Sequence, residues 1–383
     1  MRLALYGGFG EKGRTSLGVQ SGDFRLLLDA GVKTSAPGGA DYRPAIAPDE
    51  IAGLDAIFIT HAHEDHVGAL GWCLAQGFAG RILMTAPTRA ECEAIVAGYG
   101  SSEEARRVRE ARIETLPSGA NDLRLGPLRV VTGRSGHVAG GVWCLADDGR
   151  HRLVYCGDVV AASPVFAMDA LPACDALVLD ASYADDATPL AERADAISAF
   201  VRAHPGGCVL PTPLFGRSLE LFALLRPQVA LAPGMREALA AQIDGARWLV
   251  DGVAEALRDD LARATGHAEG EPLPPVPLLC HDGMGMSGPS QALLAQASRA
   301  GHPVLLTGHV PRGSPGDALL ASGRADWIRL PTHPTRNDNV AFVRACAPRL
   351  VLGHSCEPDG LARLRRHIAL LDDRASTGDV VDL

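Results

Sequence analysis

One seven-residue segment constrains this chain more than any other. Residues 60–66 read Thr-His-Ala-His-Glu-Asp-His and directly follow the apolar run AIFI, which has the character of a buried strand. Three imidazoles and a carboxylate therefore leave one strand end together, and these groups are the ligands that suit zinc and similar cations. In a loop, His61 and His63 can face one way by the strand's period of two, while Asp65 and His66 turn towards a second point. The segment predicts two neighbouring metal ions that share one loop.

Further ligands are expected at the ends of other strands, because one loop cannot complete two coordination spheres. His137 follows the run LRVVTGRSG, Asp158 follows RLVYCG and His354 follows RLVLG, each next to a glycine. A lone histidine in such a place is more often structural than a ligand, and the shared position at strand ends favours the metal interpretation. The predicted metal ligands are His61, His63, Asp65, His66, His137, Asp158 and His354.

Length and composition fit a folded protein with more than one core. The chain has 383 residues, of which 47% are hydrophobic and 21% charged. Its formal net charge of −9 argues against a broad positive surface for nucleic acid, although a narrow metal-lined groove stays compatible with it. Nine cysteines occur without a CxxC pair, and no apolar stretch is long enough for a bilayer. We therefore expect a cytoplasmic protein with reduced cysteines and no membrane insertion.

The order of predicted elements changes along the chain. Short strands separated by Gly, Asp or Pro turns dominate the first 63 residues and return from 126 to 180. Between these regions apolar residues that recur three and four apart predict a helix in VGALGWCLAQGF, and a second helix, with mixed charges on a solvated face, is predicted over 87–112. Beyond about residue 190 strands alternate with helices, among them one predicted around 234–264. This change of pattern indicates a different domain in the second half.

The histidine segment and the separated ligands resemble the metallo-β-lactamase superfamily, whose HxHxDH motif is specific. The resemblance implies a complete assignment of ligands: one metal held by His61, His63 and His137, a second held by Asp65, His66 and His354, and Asp158 bridging the two. It also implies that Asp29, in the segment RLLLDAG, orients ligands through hydrogen bonds.

Several segments between Asp158 and His354 resemble the β-CASP group, the nuclease branch of that superfamily. LDASYAD, with Asp180, is similar to the group's first acidic motif, and LPTHPTRND, with His333, is similar to its second. LPTPLFGRSLELFALL, DGMGMSGPS, TGHVPRGSPGDALL and the closing GHSCE also match the group in order. A histidine in the closing motif is typical of members that act on RNA.

The resemblance implies the fold class and the domain boundaries. We expect an α/β protein with a metallo-β-lactamase αββα sandwich formed by residues 1–190 and 330–383. An inserted α/β β-CASP domain is expected at residues 191–329.

The chemistry of phosphodiester cleavage suggests roles for three residues of these motifs. Two cations can lower the pKa of a bridging water and offset charge in the transition state, and the leaving oxygen needs a proton. His333, oriented by Asp180, is the candidate general acid, and Asp65 completes the predicted catalytic set. The alternative for His333 is a loop histidine that packs between the domains.

Substrate contacts are expected from the glycine loops at 283–290 and 308–316. The predicted substrate-binding residues are Arg217, Ser287, Ser290, His309 and Arg312. Arginine suits bidentate contacts with phosphate, whereas the alternatives are ion pairs for the two arginines and helix capping for the two serines. Two divalent cations are expected as cofactors; zinc fits the histidine-rich set best, and manganese or iron are the alternatives.

Three functions stay open at this point. The preferred one is a two-metal ribonuclease or phosphodiesterase that cleaves single-stranded RNA in the cleft between the two domains. The second keeps the metals but hydrolyses a small ester, a thioester or a nucleotide phosphodiester, which the acidic charge and Thr335 in place of the motif's aspartate favour. The third is a catalytically silent homologue that binds RNA or a protein. A homodimer is compatible with all three.

Overall fold

The computed structural model describes residues 1–383. Its strands are β1 (Arg2–Gly7), β2 (Ser16–Ser21), β3 (Phe24–Leu28), β4 (Ala56–Phe58), β5 (Arg81–Thr85), β6 (Ile113–Leu116), β7 (Asn121–Leu125), β8 (Leu128–Arg134), β9 (Val142–Asp147), β10 (Arg152–Tyr155), β11 (Ala176–Asp180), β12 (Cys208–Pro211), β13 (Ala230–Leu231), β14 (Thr265–Gly266), β15 (Pro277–Cys280), β16 (Leu305–Leu306), β17 (Asp326–Trp327), β18 (Leu350–His354) and β19 (Val380–Asp382). Its helices are α1 (Pro48–Ala52), α2 (Glu64–Val67), α3 (Leu70–Ala75), α4 (Ala86–Tyr99), α5 (Ser102–Glu110), α6 (Leu190–Ala203), α7 (Arg217–Leu225), α8 (Met235–Asp244), α9 (Val253–Arg263), α10 (Gly288–Ala300), α11 (Pro315–Ala321), α12 (Arg336–Cys346) and α13 (Pro358–Arg365).

The chain forms two compact units. The first comprises Met1–Ala161, Met168–Ala187 and His333–Leu383, and the second comprises Ala162–Ala167 and Thr188–Thr332. The main divisions therefore fall at 187/188 and 332/333, where the sequence predicted 190/191 and 329/330. None of the helices combines the length and the apolar composition that crossing a bilayer requires.

The first unit contains two sheets whose parallel strands end at one edge. The first sheet has the order β19-β1-β2-β3-β4-β5-β6, with β3 to β6 parallel to one another. The second has the order β18-β11-β10-β9-β8-β7, with β10, β11 and β18 parallel. Because residues that follow parallel neighbours gather at the carboxyl edge of a sheet, polar side chains after β3, β4, β10, β11 and β18 can meet there.

Helices cover one face of each sheet, and the two remaining faces pack together. Leu27 and Ile57 of the first sheet belong to a buried cluster that includes side chains of α2 to α5, and Val154 of the second sheet clusters with side chains of α13. Tyr155 points the opposite way from Val154, and its hydroxyl reaches Asp29 at the end of β3. Both sheets are therefore covered on both faces, and the predicted αββα arrangement is confirmed.

The second unit is an α/β assembly of its own. Its four-stranded sheet has the order β12-β15-β13-β14 with parallel pairing throughout, and helices connect the strands. A parallel pair of β16 and β17 lies beside it, joined through a bridge between Val209 and Val304. The short segment Ala162–Ala167 belongs to this unit and pairs through Phe166 with Leu249.

Two segments that were each predicted to form one continuous helix are divided in the structure, so the predicted continuity of both helices was wrong. The segment 87–112 forms α4 and α5, because Ser101 caps α5: its hydroxyl accepts from Glu104 N, and the Glu104 carboxylate accepts from Ser101 N. The segment 234–264 forms α8, a 3₁₀ turn at Ala246–Trp248 and α9. Gly252, with φ of +80°, precedes α9 and breaks the helical path.

Helix α7 carries a buried carboxyl group into the core of the second unit. Glu220 is 4% exposed, and its Oε1 accepts a 2.6 Å hydrogen bond from Ser163 Oγ, while Oε2 has no hydrogen-bond partner. Burial raises the pKa of Glu220 to about 7, against the opposing effects of the Ser163 hydrogen bond and the Arg217 charge. Ionisation of Glu220 therefore works against the folded state.

This carboxyl group makes the stability of the second unit depend on pH. Below the unfolded-state pKa of about 4.5, the Glu220 carboxyl group is neutral in both the folded and the unfolded state. Above pH 4.5 the unfolded chain ionises first, so the free energy of unfolding falls as pH rises towards 7. Beyond the folded-state pKa of about 7 it is constant. Glu220→Gln should remove this decline, which amounts to about 3 kcal/mol at most.

Urea unfolding of the wild-type and variant proteins between pH 4.5 and 8 measures the effect. Glu255→Gln, at an exposed position of α9, is the matched control and should keep the decline of the wild type. A decline that persists unchanged in the Glu220→Gln protein would refute this assignment.

Candidate metal centre

Backbone hydrogen bonds hold the histidine-rich segment against two neighbouring turns. Ala30 N donates to His66 O at 2.7 Å, and Thr15 N donates to Asp65 O at 2.8 Å. A Cβ atom at Gly31 would lie 1.7 Å from Asp65 O, so only glycine permits this approach. Asp65 and His66 lie in the single helical turn of α2 rather than in an open loop, which turns both side chains away from the line of β4.

The Asp29 carboxylate is the hydrogen-bond acceptor that joins three strand ends. Its Oδ1 accepts from Thr60 N at 2.7 Å, and its Oδ2 accepts from Thr60 Oγ1 at 2.8 Å, from His66 Nδ1 at 2.7 Å and from the Tyr155 hydroxyl at 2.7 Å. Asp29 is fully buried and has a φ of +61°, a conformation that is uncommon for a residue other than glycine. Since Nδ1 of His66 donates to Asp29, Nε2 presents its lone pair to the interior of the site.

Four side chains bring metal-ligand atoms to one point. One ligand atom each of His61, His63, His137 and Asp158 lies within 4.8 Å of the other three. Asp158 Oδ2 is 3.6 Å from His61 Nε2 and 3.6 Å from His137 Nε2, and His63 Nδ1 is 3.1 Å from His137 Nε2. The structure therefore gathers the three imidazoles and the carboxylate that the sequence assigns to the first metal and its bridge.

The residues predicted for the second metal are brought together in part. His66 Nε2 lies 3.1 Å from Asp158 Oδ1 and 3.8 Å from Asp65 Oδ2. The ring of His354 is 6.0 Å from that of His66, but its Nε2 lies 3.0 Å from Gly157 O and its Nδ1 lies 3.0 Å from Ser355 Oγ. Both nitrogens of His354 thus have partners within the protein, and its role as a ligand stays a prediction.

The unsatisfied atoms of this cluster fit a bound cation. His61 Nε2, His66 Nε2 and Asp158 Oδ1 are buried and make no hydrogen bond of acceptable geometry. Buried polar atoms in proteins almost always have partners, because leaving one unpaired costs free energy. The imidazole and carboxylate donors are those that divalent transition metals prefer, so the residues fit divalent metal ions.

The balance of charge points the same way. The centre and its surroundings contain four carboxylates whose ion-pair partners are all histidines, with neither lysine nor arginine among them: Asp29, Asp65, Asp158 and Asp180. Burying this much negative charge without a fixed cation is costly. Two divalent cations would neutralise it.

The pKa shifts of His61 and Asp158 favour a neutral imidazole beside an ionised carboxylate. Burial, reinforced by the His66 and His63 imidazoles, lowers the pKa of His61 well below its ordinary value. Burial raises the pKa of Asp158, but the His66 and His333 imidazoles outweigh burial and hold that pKa well below its ordinary value. A neutral imidazole and an ionised carboxylate are the forms that bind metals.

His333 and Asp180 form a hydrogen-bonded pair next to this cluster. His333 Nδ1 lies 2.9 Å from Asp180 Oδ2 and 3.6 Å from Asp158 Oδ2, and the His333 side chain is 20% exposed. Burial lowers the pKa of His333, but the charges of Asp180 and Asp158 outweigh burial and raise the pKa to about 10. The pair therefore holds a proton at the edge of the candidate metal centre.

Helix α12 fixes the backbone around this pair. Thr335 caps the helix two residues after His333: its hydroxyl accepts from Asp338 N, and the Asp338 carboxylate accepts from Thr335 N. Asn339, one turn later, donates from Nδ2 to Asp180 O at 2.9 Å. Thr335, at the position where the resembled motif has an aspartate, therefore starts the helix that supports His333 and Asp180.

The predicted substrate-binding residues all lie in the second unit. Arg217 begins α7, donates to Thr332 Oγ1 at 3.1 Å and packs against Gly308, where a Cβ atom would come 2.2 Å from the guanidinium. Ser287 donates to the Asp282 carboxylate at 2.7 Å and precedes α10, Ser290 is buried in α10, and His309 and Arg312 are exposed. Their contact with substrate stays a prediction.

Sequence reasoning missed the residues that support the ligands. Thr60 and Tyr155 both donate to Asp29, Ser182 donates to Asp180 from its backbone N and its Oγ, and Asn339 donates to the Asp180 carbonyl. Thr60 and Ser182 lie within two residues of predicted site residues, and that adjacency was a usable signal. Tyr155 and Asn339 are recognisable only once the strands and α12 are assembled.

Comparison with known proteins agrees with this geometry. A family model described as Metallo-beta-lactamase superfamily matches residues 11–202. The transcription termination factor FttA of Methanothermobacter thermautotrophicus is 27% identical over 286 residues, which cover 68% of this chain and 45% of that protein. The cleavage and polyadenylation specificity factor 73 of Drosophila melanogaster is 24% identical over 93% of this chain and 60% of its own length.

A ribonuclease and a solved structure extend the comparison. A ribonuclease of Thermus thermophilus is 29% identical over 42% of this chain and 38% of its own length. The matches thus span between 38% and 60% of these three relatives. A crystal structure of a protein of unknown function from Enterococcus faecalis matches all of this chain and 99% of its own with a TM-score of 0.65 at 12% identity, which shows a shared fold.

The hydrogen bonds of Asp29 predict that metal affinity depends on a residue outside the predicted ligand set. Asp29→Asn should lower zinc affinity roughly 10- to 100-fold, because the amide would lose the charge that orients His66. Competition with a chromophoric chelator measures this affinity directly. Tyr155→Phe, which removes one of the donors to Asp29, should have a smaller effect. Wild-type zinc affinity in the Asp29→Asn protein would contradict the role of Asp29.

Proposed function

This chain belongs to the metallo-β-lactamase superfamily, and we propose from that premise that it is a two-metal hydrolase that cleaves single-stranded RNA. One observation carries the proposal: buried atoms of His61, His66 and Asp158 that make no hydrogen bond of acceptable geometry converge among carboxylates whose ion-pair partners include neither lysine nor arginine. A set of this kind suits catalysis better than a structural site, because structural metal sites need neither a shared carboxylate nor an open position.

The proposed ligand assignment follows the resemblance to the metallo-β-lactamase superfamily. His61, His63 and His137 would hold one cation, and Asp65, His66 and His354 the other, with Asp158 shared between them. When bound, the cations would supply a water of lowered pKa and would offset negative charge that develops on the phosphate. Zinc suits the histidine-rich set, with manganese or iron as alternatives.

The protein's own residues would position and protonate the substrate. His333 Nδ1 donates a hydrogen bond to Asp180 Oδ2, so that Nε2 is the nitrogen left to approach a leaving oxygen. Its partial exposure gives that nitrogen access to a bound substrate. Asp180 would fix the orientation of the ring, and the capped start of α12 would fix Asp180.

RNA is the proposed substrate because the proteins that this chain resembles are named for roles in RNA metabolism. The relatives are named for transcription termination, for cleavage and polyadenylation, and as a ribonuclease. The chain also contains the segments with Asp180 and His333 that resemble the β-CASP nucleases. All nine cysteines are buried free thiols, as the proposed cytoplasmic location requires.

Cleavage of a 5′-labelled single-stranded RNA tests the proposal. The purified protein loaded with zinc or manganese should cut this RNA, and Asp65→Ala/His66→Ala protein should not. The ladder of products would separate internal from terminal attack. If fully metallated protein left the RNA intact, the proposed function would be wrong.

A small ester is the second candidate substrate, and the net charge of −9 favours it because phosphate chains are repelled. Hydrolysis of p-nitrophenyl acetate, a thioester or a nucleotide phosphodiester by a protein that leaves RNA intact would establish this alternative. Selective cutting of RNA would exclude it as the main activity.

The role of His333 predicts a dependence on the leaving group. His333→Ala should lower kcat for RNA roughly 10²- to 10⁴-fold with metal content unchanged. The same variant should keep most of its activity on bis(p-nitrophenyl) phosphate, because p-nitrophenolate leaves without a proton. Asp180→Asn should follow the same pattern more weakly. Equal losses on both substrates, or loss of bound metal, would show that His333 has a structural role instead.

A further inference from the structure

Lys12 lies in the first unit in the loop between β1 and β2, where it is exposed while most of the loop is buried. The chain has only two lysines, and the other, Lys33, forms a 2.7 Å ion pair with Glu11. Lys12 makes no ion pair: its ammonium donates one long hydrogen bond, 3.4 Å, to Ser182 O. An ammonium has three donors, so most of the hydrogen-bonding capacity of Lys12 faces solvent.

The loop that carries Lys12 is attached to the end of β18. Ser355 N donates to Gly8 O at 2.7 Å, Phe9 forms a backbone bridge with His354, and the hydroxyls of Thr15 and Ser355 lie 3.3 Å apart. His354 and Ser355 are the last residue of β18 and the residue that follows it, so the loop borders the candidate metal centre.

The hydrogen-bond partner of Lys12 leads directly to the proposed general acid. Ser182 donates to Asp180 Oδ1 from its backbone N at 3.1 Å and from its Oγ at 2.6 Å. The other oxygen of Asp180 bonds to His333. Lys12 is therefore placed beside the segment that holds the proton donor, on the rim of the candidate metal centre.

We propose that Lys12 binds a backbone phosphate of single-stranded RNA at the rim of the metal centre, an inference that rests on the proposed function. A phosphate chain approaching a protein of net charge −9 is repelled, and a fixed cation at the entrance offsets that repulsion. Lysine suits this role because its ammonium contacts phosphate as a point charge without demanding one geometry. Glu11, the adjacent carboxylate in sequence, does not compete, because it bonds to Arg14, Lys33 and Thr377.

A measurement of RNA binding tests the proposed role of Lys12 separately from catalysis. Fluorescence anisotropy would be measured with a 5′-fluorescein single-stranded oligoribonucleotide and metal-loaded His333→Ala protein, in which cutting is slow. Adding Lys12→Met should raise Kd roughly fivefold and reduce the slope of log Kd against log salt by about 0.7, the change expected for one phosphate contact on a single strand. Lys12→Arg should keep the slope.

Arg150→Met is the matched control for loss of one exposed charge. Arg150 lies in the turn before β10, at the opposite end of that strand from Asp158, and should leave both Kd and slope unchanged. An unchanged slope in the Lys12→Met protein, an equal change in the Arg150→Met protein, or no binding of the RNA at all would overturn the inference.

The outcomes distinguish this inference from the proposed function. If wild-type protein cuts RNA while Lys12→Met alters neither KM nor the salt dependence, the inference fails and the proposed function stands. If wild-type protein binds RNA without cutting it, the proposed function fails, and a reduced slope in the Lys12→Met protein still supports a phosphate contact.

Discussion

The hydrogen bonds to Asp29 are the interaction on which the rest of the centre depends. One buried carboxylate accepts from the end of β4 through Thr60, from α2 through His66 and from β10 through Tyr155. These contacts join the two sheets of the first unit and fix which nitrogen of His66 faces the centre. The fold and the ligand geometry are therefore set by the same group.

Charge explains why such a site needs cations. The carboxylates around Asp158 have only imidazoles as ion-pair partners, with neither lysine nor arginine among them, so holding them together favours bound cations. The same negative charge repels an approaching phosphate chain unless bound metals and an exposed lysine offset that repulsion. The acidic composition and the proposed action on RNA are thus reconciled locally, at the centre and its rim, rather than by a positive surface.

Much of the centre could be predicted because its chemistry is local in sequence. His61, His63, Asp65 and His66 lie within six positions after β4, and the resemblance linked Asp180 to His333, whose side chains lie 2.9 Å apart. Membership of the metallo-β-lactamase superfamily is confirmed. Tyr155 and Asn339 could not be predicted, because their partners are distant in sequence and depend on strand register and on the direction of α12. The helix break at Gly252 was missed because apolar spacing continues across it while its positive φ interrupts the backbone, and the break at Ser101 was missed because the Ser101–Glu104 capping box lies inside a segment whose charge pattern predicts one helix.

The most direct test of the account is anomalous X-ray diffraction at the zinc edge from crystals of the zinc-loaded protein. Two strong peaks separated by roughly 3.5–4 Å are expected. One should be surrounded by His61, His63 and His137 and the other by Asp65 and His66, with Asp158 between them, and the same map would show whether His354 turns from Gly157 to the second ion. Zinc-saturated crystals with no peak among these residues would contradict the central claim.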